Sequence, residues 1–387
     1  MIYFPPIGWG PTGKEPIQTR GDGYSHYAHP DGSSWVYLNH WSDALERMLH
    51  ESRVPCINIS EYWTAPTLDA LRPHFLRIQE LAVDSIAVTD LSALAEMPAL
   101  HRLQLHHSSA GAPFASLRNL TDCTLAHPAT MGSVHEAPAL ERLELVELPL
   151  RDLRAVGEMT TLRSLAVSGK HKMSLSGIES MRLDALNLRL RRLESLAPMT
   201  GLSLRRLELH ETRKLGDLES VGGMTSLESL DLEQTAAPAS LSFLRELSAL
   251  QRFYLEEVTP TDETVSLRSL LDLRNLRELE LLGGKHSLRN LRDIEVLGEM
   301  DSLEKIRLHN GPKEIDSIGW VRGLPRLRTF WLNGTEIRDG DVSPLLELPH
   351  IDRVMIVPTA KHYSHTDASF DLAMQAHRAT RLVSSPA

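Results

Sequence analysis

Ser168, His210 and Glu233 are the side-chain types of a hydrolytic triad, and they fall within one stretch of a 387-residue chain that carries 18 histidines. In such a triad the acid orients an imidazole, and the imidazole takes the hydroxyl proton. The histidines also raise metal binding. His26 and His29 stand in SHYAH, His362 and His365 in KHYSH, and His106 is followed by His107. No Cys, Asp or Glu completes either pair at a zinc-like spacing, and H-E-x-x-H is absent. These histidines are read as surface or capping residues. GWGPTG at 8–13 matches G-x-G-x-x-G, but it follows Pro5-Pro6 and precedes Lys14-Glu15-Pro16. A dinucleotide fingerprint needs a strand before it and a helix after it, so the match is read as accidental. No cofactor and no metal are expected.

Whether triad-like residues can meet depends on the elements that carry them. The stretch LERLELVELPL at 140–150 contains L-x-x-L-x-L. That spacing occurs fourteen times, centred on Ile57, Leu81, Leu103, Cys123, Leu143, Leu165, Leu186, Leu207, Leu230, Phe253, Leu279, Ile306, Phe330 and Val354. Successive centres lie 20 to 27 residues apart. The centre, the residue three before it and the residue two after it make 42 positions, and all are apolar with Cys123 counted. Random placement at 42% hydrophobic content would fill fewer than half. A fixed period of this kind marks a repeat architecture.

The second half of the unit recurs as DLSALAEMPAL (90–100), DLRAVGEMTTL (152–162), DLESVGGMTSL (217–227) and DIEVLGEMDSL (293–303). Aspartate is a good N-cap, L-x-x-L suits one or two helical turns, and the Met-Pro or Met-Thr step ends them. Each unit is expected to be a strand, a turn, a short helix and a return. One unit alone cannot bury its apolar face, whereas a stack shares a continuous core.

Over about residues 54–358 the chain resembles the leucine-rich-repeat family, most closely its short cytoplasmic bacterial repeats, internalin-like or phosphatase-regulator-like. The resemblance implies an α/β solenoid, a horseshoe of about fourteen repeats with a parallel sheet on the concave side and short helices on the convex side. The family usually has Asn or Cys five residues after the central Leu, where it bonds loop backbone. Here Ile86, Ser108, Leu148, Thr212, Thr235, Gly311 and Thr335 stand there. The Thr copies are expected to take over part of that bonding. Caps are expected at both ends: residues 1–53, irregular through 34 and then strand-like WVYL (35–38) and an amphipathic helix over Ser42–Ser52, and residues 359–387, with a helix from Thr366 or Asp367 to Arg381 whose Phe370, Ala373 and Met374 face the last strand.

Alternate strand residues point to opposite faces. The positions one before, one after and three after each centre therefore form the displayed surface. The +1 column includes Glu208, Asp231, Tyr254, Glu280, Arg307 and Trp331, and the +3 column Ser168, Arg189, His210, Glu233 and Glu256. Arg189 separates Ser168 from His210 by two strand spacings, roughly 9–10 Å, which is too far for proton transfer. The chain is therefore read as no enzyme. Glu208, Asp231, Glu233, Glu256, Glu278 and Glu280 form an acidic groove offset by Arg206 and Arg252, with Tyr254 and Trp331 as aromatic anchors and Arg307 beside it. Stacked like charges destabilise a sheet, so such a groove suits a basic protein or peptide segment.

Net charge of −10 argues against a nucleic-acid or membrane partner. The start MIYFPPIGWG has no basic and apolar leader pattern, no 18-residue apolar run occurs, and two cysteines make no disulfide framework. Cys56 is expected to point outward and Cys123 into the core. The expected protein is a cytoplasmic, monomeric binding module. The alternatives are an accessory subunit that presents substrate to a peptide-modifying enzyme, a toxin-neutralising immunity protein, and an enzyme using concave-face histidines.

Overall fold

The computed structural model describes residues 17–28, 34–52, 54–236, 238, 240–257, 265–284, 288–366, 368–370 and 372–376. They belong to two compact units, residues 1–183 and 184–387.

The first unit opens with a hairpin, β1 (Ile17–Gly21) and β2 (Tyr24–Ala28), paired antiparallel. This corrects the expectation of an irregular segment through residue 34. The turn is Asp22-Gly23, with Gly23 at φ +80, where a Cβ would meet the His40 carbonyl at 2.3 Å. Asp-Gly between alternating residues is a strong hairpin signal. β2 also pairs antiparallel with β3 (Ser34–Leu38), the strand expected at WVYL. Helix α1 (Asp43–Ser52) follows, with Ser42 Oγ accepting from Leu45 N at 3.1 Å as its N-cap and Leu45 and Leu49 buried. From β3 onward every pairing is parallel: β4 (Cys56–Ile59), β5 (Glu80–Val83), β6 (Arg102–Leu105), β7 (Asp122–Leu125), β8 (Arg142–Val146) and β9 (Ser164–Gly169).

The second unit continues the pattern in β10 (Ala185–Leu190), β11 (Arg206–His210), β12 (Ser229–Glu233) and β13 (Arg252–Glu256). Short side ladders then appear between β14 (Val265–Ser266) and β16 (Leu291–Arg292), and between β18 (Glu314–Ile315) and β20 (Glu336–Ile337). The main ladder runs on through β15 (Glu278–Leu282), β17 (Lys305–His309), β19 (Thr329–Asn333) and β21 (Arg353–Val357).

Register follows from the apolar period. Leu186, Leu207, Leu230, Phe253, Leu279, Ile306, Phe330 and Val354 lie directly opposite one another, strand to strand. A slip of one residue would turn every leucine outward. The inward residues are buried throughout, except Val354 and Ile356 on the last strand, which stay half-exposed. Met374 is buried, and Thr366 and Ser369 cap each other's backbone N–H groups at 2.8 and 3.3 Å. Asp367 and the expected helix end at Arg381 lie outside the described residues.

The strand ends share one backbone device. Glu147, Glu211, Gln234, Glu257, Asn310 and Gly334 each follow a strand and have φ between +49 and +78. That handedness turns the N–H toward the next coil. Glu211 N donates to the Glu233 carbonyl at 2.9 Å, Gln234 N to Glu256 at 2.9 Å and Asn310 N to Asn333 at 2.8 Å.

The return segments are 3-10 turns, with i to i+3 bonds such as Met224 N to Val221 O at 2.9 Å. All but one of the described segments have three to six residues, too few for a stable α-helix. Met97, Met224 and Met300 do end them. The expected aspartate caps divide. Asp90 accepts from Ser92 N at 2.8 Å and Asp152 from Arg154 N at 3.2 Å, two residues on. Asp217 instead accepts from Leu196 N at 2.9 Å and Ser195 Oγ at 2.6 Å of the preceding coil, and Asp293 accepts from Ser266 Oγ.

Loop bonding is shared between threonine and serine: Thr235 Oγ1 donates to the Ala236 carbonyl at 3.1 Å. Ser85 Oγ donates to the Trp63 carbonyl at 2.7 Å and Ser108 Oγ to Val88 at 2.9 Å, each reaching back one coil. Thr212 and Thr335 are buried with no hydrogen-bond partner for their hydroxyls. Ile86, one residue beyond Ser85, is 75% exposed.

Candidate functional site

In the second unit the displayed columns hold as a register. Asn187, Glu208, Asp231, Tyr254, Glu280, Arg307 and Trp331 lie opposite one another in turn, and so do Arg189, His210, Glu233 and Glu256. Parallel strands 4.8 Å apart therefore bring Glu208, Asp231, Glu233, Tyr254 and Glu256 together on β11, β12 and β13.

His210 lies among them, a neighbour that the pattern of acidic residues alone does not mark. Its side chain is 12% exposed. Nδ1 lies 2.7 Å from Glu233 and Nε2 lies 3.7 Å from Glu208. Glu208 and Glu233 hold its pKa above the usual histidine value against the opposing effect of burial. Glu208 is held below the usual carboxylate value by His210, with a further hydrogen bond from Asn187. Asp231 behaves oppositely. Burial pushes it up to about 6, with Glu208 and Glu233 adding to the effect and His210 and Arg252 working against it. Its Oδ1 is buried and has no hydrogen-bond partner. The Tyr254 hydroxyl donates to Glu256, and the Arg252 guanidinium lies 5.8 Å from the Tyr254 ring centre. Burial and Glu256 raise the Tyr254 pKa.

The raised Asp231 value carries a stability consequence. A carboxyl whose folded pKa lies above its unfolded value of 3.8 favours the fold only while protonated, and this contribution is lost as pH rises through about 6. A shift of this size corresponds to about 3 kcal/mol, and solvent screening at this half-buried position reduces it to about 1 kcal/mol. Asp231→Asn should therefore stabilise the protein by about 1 kcal/mol at pH 8 and by nothing below about pH 4. Urea unfolding at the two pH values checks this.

In the other half of the expected groove Glu280 is enclosed, whereas the Glu278 side chain is 43% exposed. Glu280 is 2% exposed, with Lys305 Nζ and Arg307 Nη1 each 2.6 Å from a carboxylate oxygen and Arg252 at 3.9 Å. Glu278 lies between Arg252 at 3.8 Å and Lys305 at 3.6 Å. Arg307 stacks over Trp331 at 4.2 Å, so that ring is covered on one face from within the chain. Glu278 and Glu280 are thus charge-paired with Arg252, Lys305 and Arg307. The reason is a run of three cations, Arg252, Lys305 and Arg307, on strands next to the two glutamates.

The remaining chemical candidates separate. Ser168 lies in the first unit and His210 in the second. His26 bonds Ser34 Oγ at 2.6 Å, His362 bonds the Ile337 carbonyl at 2.9 Å, and both are thus structural; His29 and GWGPTG lie outside the described residues. Among the described residues no group of three or more His, Cys, Asp or Glu side chains could hold a metal ion. Cys123 is buried as expected, but Cys56 is buried too, and burial pushes its thiol up to about 12. Reasoning from columns also passed over a polar set in the first unit, where Asp84 accepts from Asn58 Nδ2 at 2.9 Å and pairs with His106. Adjacent +3 positions Asp84 and His106 were its signal.

One short strand per coil and a turn or 3-10 return, on an L-x-x-L-x-L period, give this chain a leucine-rich-repeat fold. No protein-family model matches the chain, and no curated protein matches it. Among solved structures it is similar to an internalin of Listeria monocytogenes, internalin F, at 19% identity over 83% of this chain and 86% of that one, with a TM-score of 0.47. A leucine-rich-repeat protein of Leptospira interrogans is 16% identical over 82% and 81%, with a TM-score of 0.47. A plant peptide hormone receptor, RGFR1 in complex with RGF2, is 15% identical over 86% of this chain and 59% of its own, with a TM-score of 0.43. Likenesses at this level bring no partner or activity to this chain. Among the described residues no helix is long and apolar enough to cross a membrane.

Proposed function

We propose that the protein is a non-catalytic binding scaffold whose second unit captures a basic segment of a protein partner on the open face of β11–β13. One observation carries this reading: Glu208, Asp231, Glu233 and Glu256 crowd three adjacent strands, and a buried Asp231 oxygen lacks a hydrogen-bond partner. A cation placed there relieves like-charge stacking that the free face must bear. Tyr254 supplies an aromatic surface beside the carboxylates, of the kind that concentrates interface energy. Arg307 and Trp331 border the site as a rigid shelf. The wider assignments made from sequence, terminal caps at 1–53 and 359–387, a monomer and a cytoplasmic setting without nucleic acid, belong to the same reading.

The test is reversal of Glu208, Asp231, Glu233 and Glu256 to Lys in the full chain, followed by affinity capture from native lysate beside the wild type. Capture of a basic partner should disappear while the circular dichroism spectrum is retained. It should also weaken steeply as salt rises, since exposed charges are screened within about 8 Å at physiological ionic strength. Undiminished capture by the reversed variant ends the proposal.

A further inference from the structure

We propose that His210 and Asp231 form a two-proton switch that sets the charge of the β11–β13 face, so that the face turns more acidic as pH rises through neutrality. The inference rests on the capture reading for its use, but not for its existence.

The geometry isolates the pair from other titrations. On its own strand His210 faces Glu208. From β12 it faces Glu233 at 2.7 Å and Asp231. From β10 its register partner is Arg189, whose guanidinium is engaged by Glu211 at 3.2 Å, and Asn187 is engaged by Glu208. Arg206 acts on Glu208 from the start of β11, and Arg252 reaches Asp231 from β13. With His210 neutral and Asp231 ionised, the five residues Glu208, His210, Asp231, Glu233 and Glu256 carry a formal charge of −4. With both protonated they carry −2.

His210 keeps its proton above the usual range because two carboxylates flank it, and Asp231 takes one early because it is buried. Asp231 therefore titrates at about 6, within the range where histidine ordinarily acts as a sensor, and His210 titrates above the usual histidine value. A guanidinium or ammonium on this face favours ionised Asp231 and neutral His210. Binding must then release protons, and affinity must rise with pH. The expected gain between pH 5.5 and 8 is about tenfold, or about 1.4 kcal/mol.

The probe is acetylated penta-arginine, measured by calorimetry on the full chain in two buffers of different ionisation enthalpy. In parallel, the His210 ring is titrated by NMR in wild type, Glu233→Gln and Asp231→Asn, with His210→Gln used for assignment. Expected are binding about tenfold tighter at pH 8 than at pH 5.5, proton release near pH 6.5, and loss of about half that release in Asp231→Asn. The His210 midpoint should fall in both variants. A midpoint unmoved by both substitutions overturns the switch. Probe affinity equal at the two pH values also overturns it and leaves the capture reading standing. No binding at either pH, with the midpoint moved as expected, overturns the capture reading and supports the switch.

Discussion

Glu280→Ala is expected to destabilise the second unit by about 3 kcal/mol, the low end of the cost of breaking a buried ion pair. Both carboxylate oxygens are taken, by Lys305 and by Arg307 at 2.6 Å, and the acid itself is 2% exposed. Removing it leaves Arg252, Lys305 and Arg307 facing one another across three adjacent strands. Lys305 and Arg307 remain 31% and 29% exposed, so water recovers part of their solvation, which keeps the cost from the top of the range. Chemical unfolding of Glu280→Ala beside Glu280→Gln measures it, and the amide should lose less because it keeps shape and hydrogen bonding. Capture of a basic partner should survive the change, since this residue lies outside the cluster on β11–β13. A loss of capture with unchanged stability would return Glu280 to the displayed surface.

Leu207→Ala is expected to cost about 2–5 kcal/mol, as truncation of buried leucines does. Leu207 has no exposed surface and sits between Leu186 and Leu230 in the ladder. A stack of coils cannot close around the void without shifting both neighbours, because each coil is held by the next. The urea midpoint should fall accordingly, whereas a loss under about half a kcal/mol would mean that the centre of the repeat does not point inward.

The register was legible because it rests on a strict alternation. LERLEL at 140–145 and RLELH at 206–210 admit one inward set, and the columns built from them recur in the ladder. What alternation cannot weigh is how deep an outward residue sits. Glu208 and Glu280 occupy the same column, yet one stays half-exposed and the other is enclosed, and the difference comes from Arg252, Lys305 and Arg307 on the neighbouring strands. The loop bonds were legible in part, at Ser108 and Thr235, and missed elsewhere for a related reason. Counting five residues from Leu81 lands on Ile86, while the loop turns Ser85 inward, because its hydroxyl can reach the Trp63 carbonyl. The hairpin β1–β2 was missed although Asp22-Gly23 marked it, since the glycines and prolines before it masked the alternation of Tyr24–Ala28. The candidate site was legible only in part. Its carboxylates follow from the columns, but the columns align His210 with Ser168 and do not show that Glu208 and Glu233 share its ring.

The strand-end turns restrict how this chain can vary. At Glu147, Glu211, Gln234 and Glu257 an ordinary L-residue holds a left-handed backbone, a conformation that valine, isoleucine and threonine resist. Drift at these sites is biased toward glycine, asparagine and aspartate and away from β-branched residues. The rim beside the carboxylate cluster is thus kept hydrophilic by backbone handedness, whatever the protein binds.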